Sequence, residues 1–521
     1  MTDATGVTTK TYDAASRVTA VAAPGGTVSY GYNNAGQRSG MTLPGGRTVS
    51  YGYDTGGRLA SLTDWAARTT SFAYNTNDWR TAINHPNAVT SAFAYDAAGQ
   101  VTSISHNGPG DSLLALSHAY DANGNRTSTT KNGSAETFTL DALNRLTSVT
   151  YPGGATTSYT YDANGNRLTK TVGGATTNYT YDNAGQLTTD GVKTYTYDGN
   201  GNQTGAGTDT FAYDYANRMT SATVGGTATT YGYDGDAVRT TKTAGGSTTS
   251  YLWDRETGLP LLVDDGTNAY LHADGALAEV PVGGTPRYIL DDALGSVRGV
   301  TDSTGVLTAT ADYDVFGAIR ASTGTQSLFA FTGEQRDPET GFTFLRARYL
   351  DPTTGRFTQA DTIQPNAPGT QGWNLYSYVA NNPTTWVDPS GRISGDAVAA
   401  GVAIVTVQAL IKYCYAFSAA LLLAQQYVAA GLIWVACTVV LWYALPPIFK
   451  CVAAGYECIR DAMIVAVALC SVPGICGGTN PPVWPPRPKL GPIGSTLSAS
   501  RNTIPPEPSV SRPFRPMPSS P

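Results

Sequence analysis

The chain has 521 residues, too many for one ordinary domain, so several units or a repeat array are expected. Only 14% of residues are charged, while glycine (58) and tyrosine (31) are abundant, a composition of strands and turns rather than helices. The net charge of −6 is uneven: eight Lys/Arg against four Asp/Glu after Arg392 leave +4 there and −10 for the rest, and an acidic body without Lys/Arg clusters argues against a nucleic-acid partner.

The first residues, MTDATGVTTK, contain no apolar core of a signal peptide and run straight into repetitive sequence. The expectation is either a truncated or cassette-like product, or export by another route. From there to about residue 280 a unit of some twenty residues recurs, marked Tyr-Asp-x-x-Gly-x-Arg. Instances begin at Tyr12, Tyr53, Tyr120, Tyr161, Tyr181 and Tyr213, with variants at Leu140 and Tyr233. A fixed period of this size signals a repeat architecture and overrides domain counting by length.

One unit shows the local physics. Residues 157–161 alternate Thr/Ser with Tyr in strand fashion, placing Tyr159 and Tyr161 on one face. Asp162 begins a turn, Asn164-Gly165 supplies positive-φ positions, residues 167–172 form the return strand, and Gly173-Gly174 turns into the next unit. A lone hairpin is marginal, so each needs neighbours on both sides, and stacked hairpins give a long sheet that curls because strands twist. Regular spacing favours packing over carbohydrate stacking for the tyrosines, and favours turn or cross-strand pairing over catalysis for the marker Asp and Arg. His85, His106, His118 and His272 are scattered without partners at metal-ligand spacing, so neither metal nor cofactor is expected.

Residues 288–298 (YILDDALGSVR), 313–317 (YDVFG), 331–337 (FTGEQRD) and 349–391 follow in order. The last stretch holds Asp351-Pro352, Asp361-Thr362, the aromatic run 375–379, Asn382-Pro383 and Asp388-Pro389-Ser390-Gly391. Proline fixes its own φ and restricts the residue before it, so these are rigid turns around short strands. Together with the repeats, this series resembles RHS (YD-repeat) proteins with an RHS repeat-associated core, of the teneurin-like YD-shell and polymorphic-toxin type. The resemblance implies a mainly β fold in which stacked β-hairpin repeats form a curled or hollow shell. It also implies that the core, in some members, cuts the chain just after a DPxG turn with two aspartates. Carried over by motif, the candidate pair is Asp361 and Asp388 and the candidate cleavage site is Gly391 and Arg392. The chemistry asks for two carboxylates close together, one ionised to activate water and one holding a proton to polarise the carbonyl. Asp351 is an alternative partner, and turn residues are the alternative reading of all three. The chain departs from the pattern in placing Arg392, rather than an apolar residue, after DPSG and in carrying an insert at residues 364–372.

After Arg392 the composition changes. Residues 397–411 and 413–449 are free of charge, and 427–445, with Trp442 and Tyr443 near one end, are long enough to cross a bilayer. Buried helices are the competing expectation. All six cysteines lie here without a CxxC pair, which argues against zinc and leaves disulfides open. Residues 481–521, rich in Pro and Ser, are expected to be disordered. The segment has no histidine and only Asp396, Glu457, Asp461 and Glu507 as acids, poor material for a hydrolytic site.

The expected division is therefore a repeat array at 1–280, the core at 281–392, a hydrophobic α-helical, membrane-associated segment at 393–480 and a disordered Pro-rich tail at 481–521. The leading functional expectation is a bacterial, secreted or surface-located shell that encloses or presents its own C-terminal segment as passenger, a membrane-active toxin used in competition. Expected partners are membrane lipid, an immunity protein or delivery machinery, and no nucleic acid. A wall-associated adhesion or carbohydrate-contact protein and a non-functional fragment of a longer gene are the alternatives.

Overall fold

The computed structural model describes residues 2–3, 5–363 and 369–392, all within one compact unit spanning 1–462. The helical segment expected at 393–480 and the tail at 481–521 lie outside the described residues. Among those described, the fold is mainly β, and no helix is long and apolar enough to cross a membrane.

Among the described strands every pairing is antiparallel and joins sequence neighbours, with breaks only where one sheet gives way to the next. A long sheet runs in chain order from Thr9–Tyr12 to Ala175–Asn178. A seven-stranded sheet follows from Tyr195–Tyr197 to Ser247–Ser250, then an eight-stranded one from Leu252–Asp254 to Ile319–Thr323. A four-stranded sheet from Gln335–Arg336 to Arg356–Phe357 completes the series.

The hairpin logic of the repeat holds in detail. Strand Thr156–Tyr161 pairs with Arg167–Val172, which turns through Gly173 (φ 55°) and Gly174 (φ 89°) into Ala175–Asn178. In the marker turn Asp162 Oδ1 accepts the amides of Asn164 (2.9 Å) and Asn166 (2.8 Å). Of the expected positive-φ pair only Gly165 is left-handed, since the Asx turn needs one such residue, just before the chain returns to the strand.

The marker arginine occupies two registers. Four residues after the Asp, Arg17, Arg58, Arg145 and Arg218 donate through Nε to the same turn's carboxylate at 2.7 Å. Five residues after the turn's first residue, Arg38, Arg80, Arg126, Arg167 and Arg239 each open the return strand instead. One residue of shift exchanges the two faces of a strand, so this second set enters the interior. Each stacks on a ring there: Arg38 on Tyr30, Arg80 on Phe93, Arg126 on Tyr120, Arg167 on Tyr159 and Arg239 on Phe344. Units between them begin the return strand with Val18, Leu59, Val101 or Leu146, so cation and aliphatic alternate along the long sheet, while beyond it Gln203 takes the cation's place between Leu187 and Met219. The marker tyrosines stitch the units together: Tyr53 Oη donates to Arg38 O (2.8 Å), Tyr74 to Leu59 O (2.8 Å), Tyr161 to Leu146 O (2.7 Å) and Tyr181 to Arg167 O (2.8 Å).

Later strands lie along earlier ones. Lys10 pairs with Glu256 (2.7 Å), Arg47 with Asp264 (2.7 Å), Arg80 with Asp274 (2.8 Å) and Arg320 with Glu136 (2.8 Å), and Lys131 meets Asp312. The core is shared the same way: Val21, Val28 and Leu62 pack with Val263, Leu271 and Val280, and Phe211 and Tyr231 with Phe342 and Tyr349. The sheet therefore winds back over itself, burying apolar faces that single hairpins leave open.

Arg239 shows what this winding costs and gains. Its side chain is 0% exposed, as is that of Asp337, which it contacts at 2.6 Å, while Gln335 Oε1 takes a second bond at 2.7 Å. Arg239→Met leaves buried Asp337 with only Lys242, at 3.7 Å, as a counter-charge, and should destabilise the fold by about 3–5 kcal/mol. Denaturant midpoints read this directly; adding Asp337→Leu should recover most of the loss, whereas an unchanged midpoint in the single variant would show the pair to be dispensable.

Candidate functional site

The segment 335–391 packs across the marker turns of successive repeats. Asn382 Nδ2 donates to Asn125 Oδ1 (3.0 Å), Asn381 Nδ2 to Gly165 O (2.9 Å), Asn374 Nδ2 to Asn166 Oδ1 (3.0 Å), Arg356 Nη2 to Gly185 O (2.6 Å) and Tyr376 Oη to Gly201 O (2.8 Å). The Asn-Pro corner read from sequence is thus anchored on the repeat rim.

Asp361 and Asp388, 27 positions apart in the chain, meet on one cation. Arg348 Nη2 lies 2.7 Å from Asp361 Oδ2 and 3.4 Å from Asp388 Oδ2, with all three side chains at most 5% exposed. Arg348 opens strand Arg348–Asp351 and stacks on Phe357, 3.5 Å from the ring centroid, so its direction is fixed by packing. Its Nη1 donates to Leu375 O (3.0 Å), and the same carbonyl accepts the Asp361 amide (2.9 Å). Asp361 Oδ1 accepts the Ile363 amide at 2.9 Å.

The Gly391–Arg392 peptide bond is held at both ends. Arg348 Nε donates to Gly391 O. The Arg392 amide donates to Asp388 Oδ1 (3.2 Å) and to Ser390 Oγ (3.1 Å), while Ser390 Oγ itself donates to Asp388 Oδ1 (3.0 Å). Gly391 is buried and Arg392 exposed, so the chain leaves the packed block at this bond. Burial pushes the Asp361 carboxyl up to about 6, with Arg348 opposing it and the Asp388 charge adding to it. Burial also lowers the Arg348 guanidinium, the two aspartates opposing. Chemically the site offers two carboxylates on a shared cation and a charged donor on a peptide carbonyl, the position where an oxyanion would develop.

Asp351 is not brought to this pair. It caps its own turn, accepting the Thr353 amide (2.9 Å) and the Thr354 hydroxyl (3.0 Å). The histidines are also apart: buried His106 accepts or donates to Ser91 Oγ (2.7 Å) and Asp291 O (3.0 Å), and burial lowers it to about 4. Among the described residues no group of His, Cys, Asp or Glu could hold a metal ion. Reading the sequence missed Arg348. The signal was available: two arginines in the otherwise apolar stretch FTFLRARYL must be partnered once buried. A cavity of about 620 Å³ adjoins the site, lined by Phe93, Trp253, Phe344, Glu334 and Arg346 and reaching Val387 and Pro389.

Comparison with known proteins agrees with this architecture. The teneurin YD-shell family model matches residues 125–384, and the RHS-repeat model matches residues 12–48 and 32–69. The tRNA3(Ser)-specific nuclease WapA of Bacillus spizizenii is 33% identical over 146 residues, 26% of this chain and 6% of that protein. Double-stranded DNA deaminase toxin A of Burkholderia cenocepacia is 34% identical over 106 residues, 19% of this chain and 7% of its own length. Toxin subunit YenC1 of Yersinia entomophaga is 31% identical over 115 residues, 21% and 11% respectively. Among solved structures, a Photorhabdus luminescens Tc holotoxin pore shares the fold with a TM-score of 0.60 at 21% identity, over 71% of this chain and 21% of its own. TcdB2-TccC3 without its hypervariable C-terminal region gives 0.59 at 21% identity, over 70% and 21%. This chain thus spans 6 to 11% of these curated relatives. The fold and the family matches define a mainly β shell of YD repeats. The chain belongs to the RHS (YD-repeat) family.

Gly391 sits at φ 68°, and a Cβ there would lie 2.3 Å from Leu345 O and 3.0 Å from the Arg348 amide nitrogen. Gly391→Ala should therefore force the DPSG turn away from Arg348 at a cost of about 1–3 kcal/mol. Denaturant midpoints and the amide NMR shifts of residues 388–392 check this; unchanged values would mean that the turn tolerates a side chain.

Proposed function

We propose that this chain is an RHS shell that carries the residues after Gly391 as its passenger and frees them by cutting the Gly391–Arg392 bond. The observation supporting this reading most directly is the bond itself, held with its carbonyl on Arg348 and its amide on Asp388. In the proposed step Asp388 takes a proton from water while the oxygen adds to the Gly391 carbonyl carbon. Arg348 Nε meets the negative charge that grows on the carbonyl oxygen, and protonated Asp361 limits the charge around that cation. The C–N bond then breaks, Asp388 returns the proton to the Arg392 nitrogen, and the products are a Gly391 carboxylate and an Arg392 amine. The names of the relatives, two toxin components and a nuclease, and the hypervariable C-terminal region named for TccC3, support a passenger role for the residues beyond the core. They also support action outside the producing cell. We divide the chain accordingly into repeats (1–280), core (281–392), passenger (393–480) and tail (481–521).

Purified wild type should yield two fragments separating at Gly391 and Arg392 by mass spectrometry, and Asp388→Asn should stay intact. The pH dependence has a definite sign. The raised Asp361 takes its proton in the folded state before the unfolded chain does, near 3.8. Stability from this group is thus lost as pH rises from about 4 to about 6, and a reaction needing the protonated form slows roughly tenfold per pH unit above about 6. Wild type that stays full length across this range after folding would leave the aspartates as structural.

For the passenger, membrane insertion is the mode we favour, because residues 413–449 are free of charge and the segment lacks histidine. The fragment released by the cleaved full-length protein should co-sediment with lipid vesicles. Val435→Arg should weaken this by about 2.5–3.5 kcal/mol. A fragment that remains in the supernatant at every lipid concentration overturns the membrane reading while leaving cleavage untouched.

A further inference from the structure

Three successive carbonyls of the DPSG turn meet three successive residues of one hairpin tip. Pro389 O accepts from Arg346 Nη1, Ser390 O from the Ala347 amide (3.3 Å), and Gly391 O from Arg348 Nε. The tip joins strand Thr343–Leu345 to strand Arg348–Asp351, with Leu345 opposite Arg348 and only Arg346 and Ala347 between them. We infer that Arg346, aimed by Glu334, is a positioning residue that sets the Gly391–Arg392 bond in register against Arg348 and Asp388. The inference rests on the cleavage reading and names residues that the aspartate pair alone does not.

Two features of the tip support it. Arg346 adopts φ 60°, a conformation that two-residue hairpin turns usually give to Gly, Asn or Asp. An arginine there is strained, and such strain persists only where surrounding contacts hold it. Two of its three nitrogens are engaged: Nη1 touches both Glu334 oxygens (2.8 and 2.9 Å) as well as Pro389 O, and Nε donates to Pro260 O at 3.1 Å. Glu334 is itself buried, and its carboxylate has been taken out of water to face this one guanidinium. Without Arg346 the turn would keep the Ala347 and Arg348 contacts but lose the fixed point at its first carbonyl. The chain could then pivot about Pro389, and Gly391 O would move relative to Arg348 Nε. A displacement near 1 Å at the reacting atom is enough to lower a rate by about a hundredfold.

The test uses the full chain. Cleavage time courses are measured from pH 5 to 8 for wild type, Arg346→Gln, Arg346→Lys and Glu334→Gln. Arg346→Gln should cut about ten- to a hundredfold more slowly than wild type at every pH. The fall-off assigned to Asp361 should stay near pH 6, whereas Glu334, which burial already pushes up to about 7 against the opposing Arg346, should be pushed higher in this variant. Arg346→Lys, which still offers one charged donor to Pro389 O, should recover part of the rate, and Glu334→Gln should lose less than Arg346→Gln. In parallel, hydrogen exchange is followed in the uncut Asp388→Asn background, with strand Thr156–Tyr161 as internal reference for global folding. Adding Arg346→Gln should speed exchange of the Gly391 and Arg392 amides while leaving the reference unchanged. Wild-type cleavage by Arg346→Gln, or unaltered exchange at Gly391 and Arg392, overturns the inference. A general loss of protection in the reference strand as well would overturn it too, assigning Arg346 to the fold rather than to the turn. If wild type itself stays uncut the cleavage reading fails, and the exchange experiment alone then decides whether Arg346 holds the turn.

Discussion

A guanidinium placed inside a β-wall has to be answered, and the way this chain answers it organises everything else. Arg38, Arg80, Arg167 and Arg239 project from the first residue of their strands away from their own turns, Arg167 and Arg239 into the buried interior and Arg38 and Arg80 to partly exposed positions. Each finds its partner far ahead in sequence: Asp254, Asp274, the Thr354 carbonyl and Asp337. An unpaired buried cation is costly enough that these pairings specify how one pass of the sheet registers on the next. Aliphatic strand openers such as Leu59 and Leu146 supply apolar burial between them but could slide. The alternation of cation and aliphatic therefore divides the labour between register and adhesion.

The candidate site extends the same logic rather than departing from it. Arg348 also opens a strand, also stacks on a ring, and is also buried. It differs in its partners, since two carboxylates rather than one converge on it, leaving the trio with more negative than positive charge in a dry place. Burial is what draws Asp361 up to about 6, with Arg348 opposing it and the second carboxylate, Asp388, adding a smaller push in the same direction. On the cleavage reading, burial together with the second carboxylate fits this trio for acid and base chemistry.

Much of this was legible in the residues. The Tyr-Asp marker encodes the hairpin because Asp caps its turn locally and the Gly-Gly pair closes the other end, both interactions within a few residues. The block from Tyr349 to Gly391 was legible through its prolines, and the Asp361–Asp388 pair through motif order. What the sequence concealed were non-local facts. The single marker pattern merged two arginine registers, Arg17 with Arg38, although one position of shift sends them to opposite faces. Arg348 and Arg346 were hidden because their partners, Asp361, Asp388 and Glu334, lie 12 to 40 positions away and no local pattern joins them. Asp351, the alternative partner, shares its Asp-Pro context with Asp388, and the Thr353 and Thr354 contacts show it occupied in its own turn.

Order of assembly is set by the same geometry. Asp361, Asp388 and Arg348 sit on three separate pieces of the block, and none is positioned by its own local turn alone. The pieces are held by contacts to Asn125, Gly165, Asn166, Gly185 and Gly201, that is, to the rims of repeats laid down earlier in the chain. Until those repeats have formed and stacked, the rim does not exist and the three charged groups have nothing to bring them together. On the cleavage reading, the bond at Gly391 can then be cut only after the shell is built. The dependence needs no regulator, because a buried pair of carboxylates around one cation is stable only inside the finished packing, and the same packing presents the bond to it.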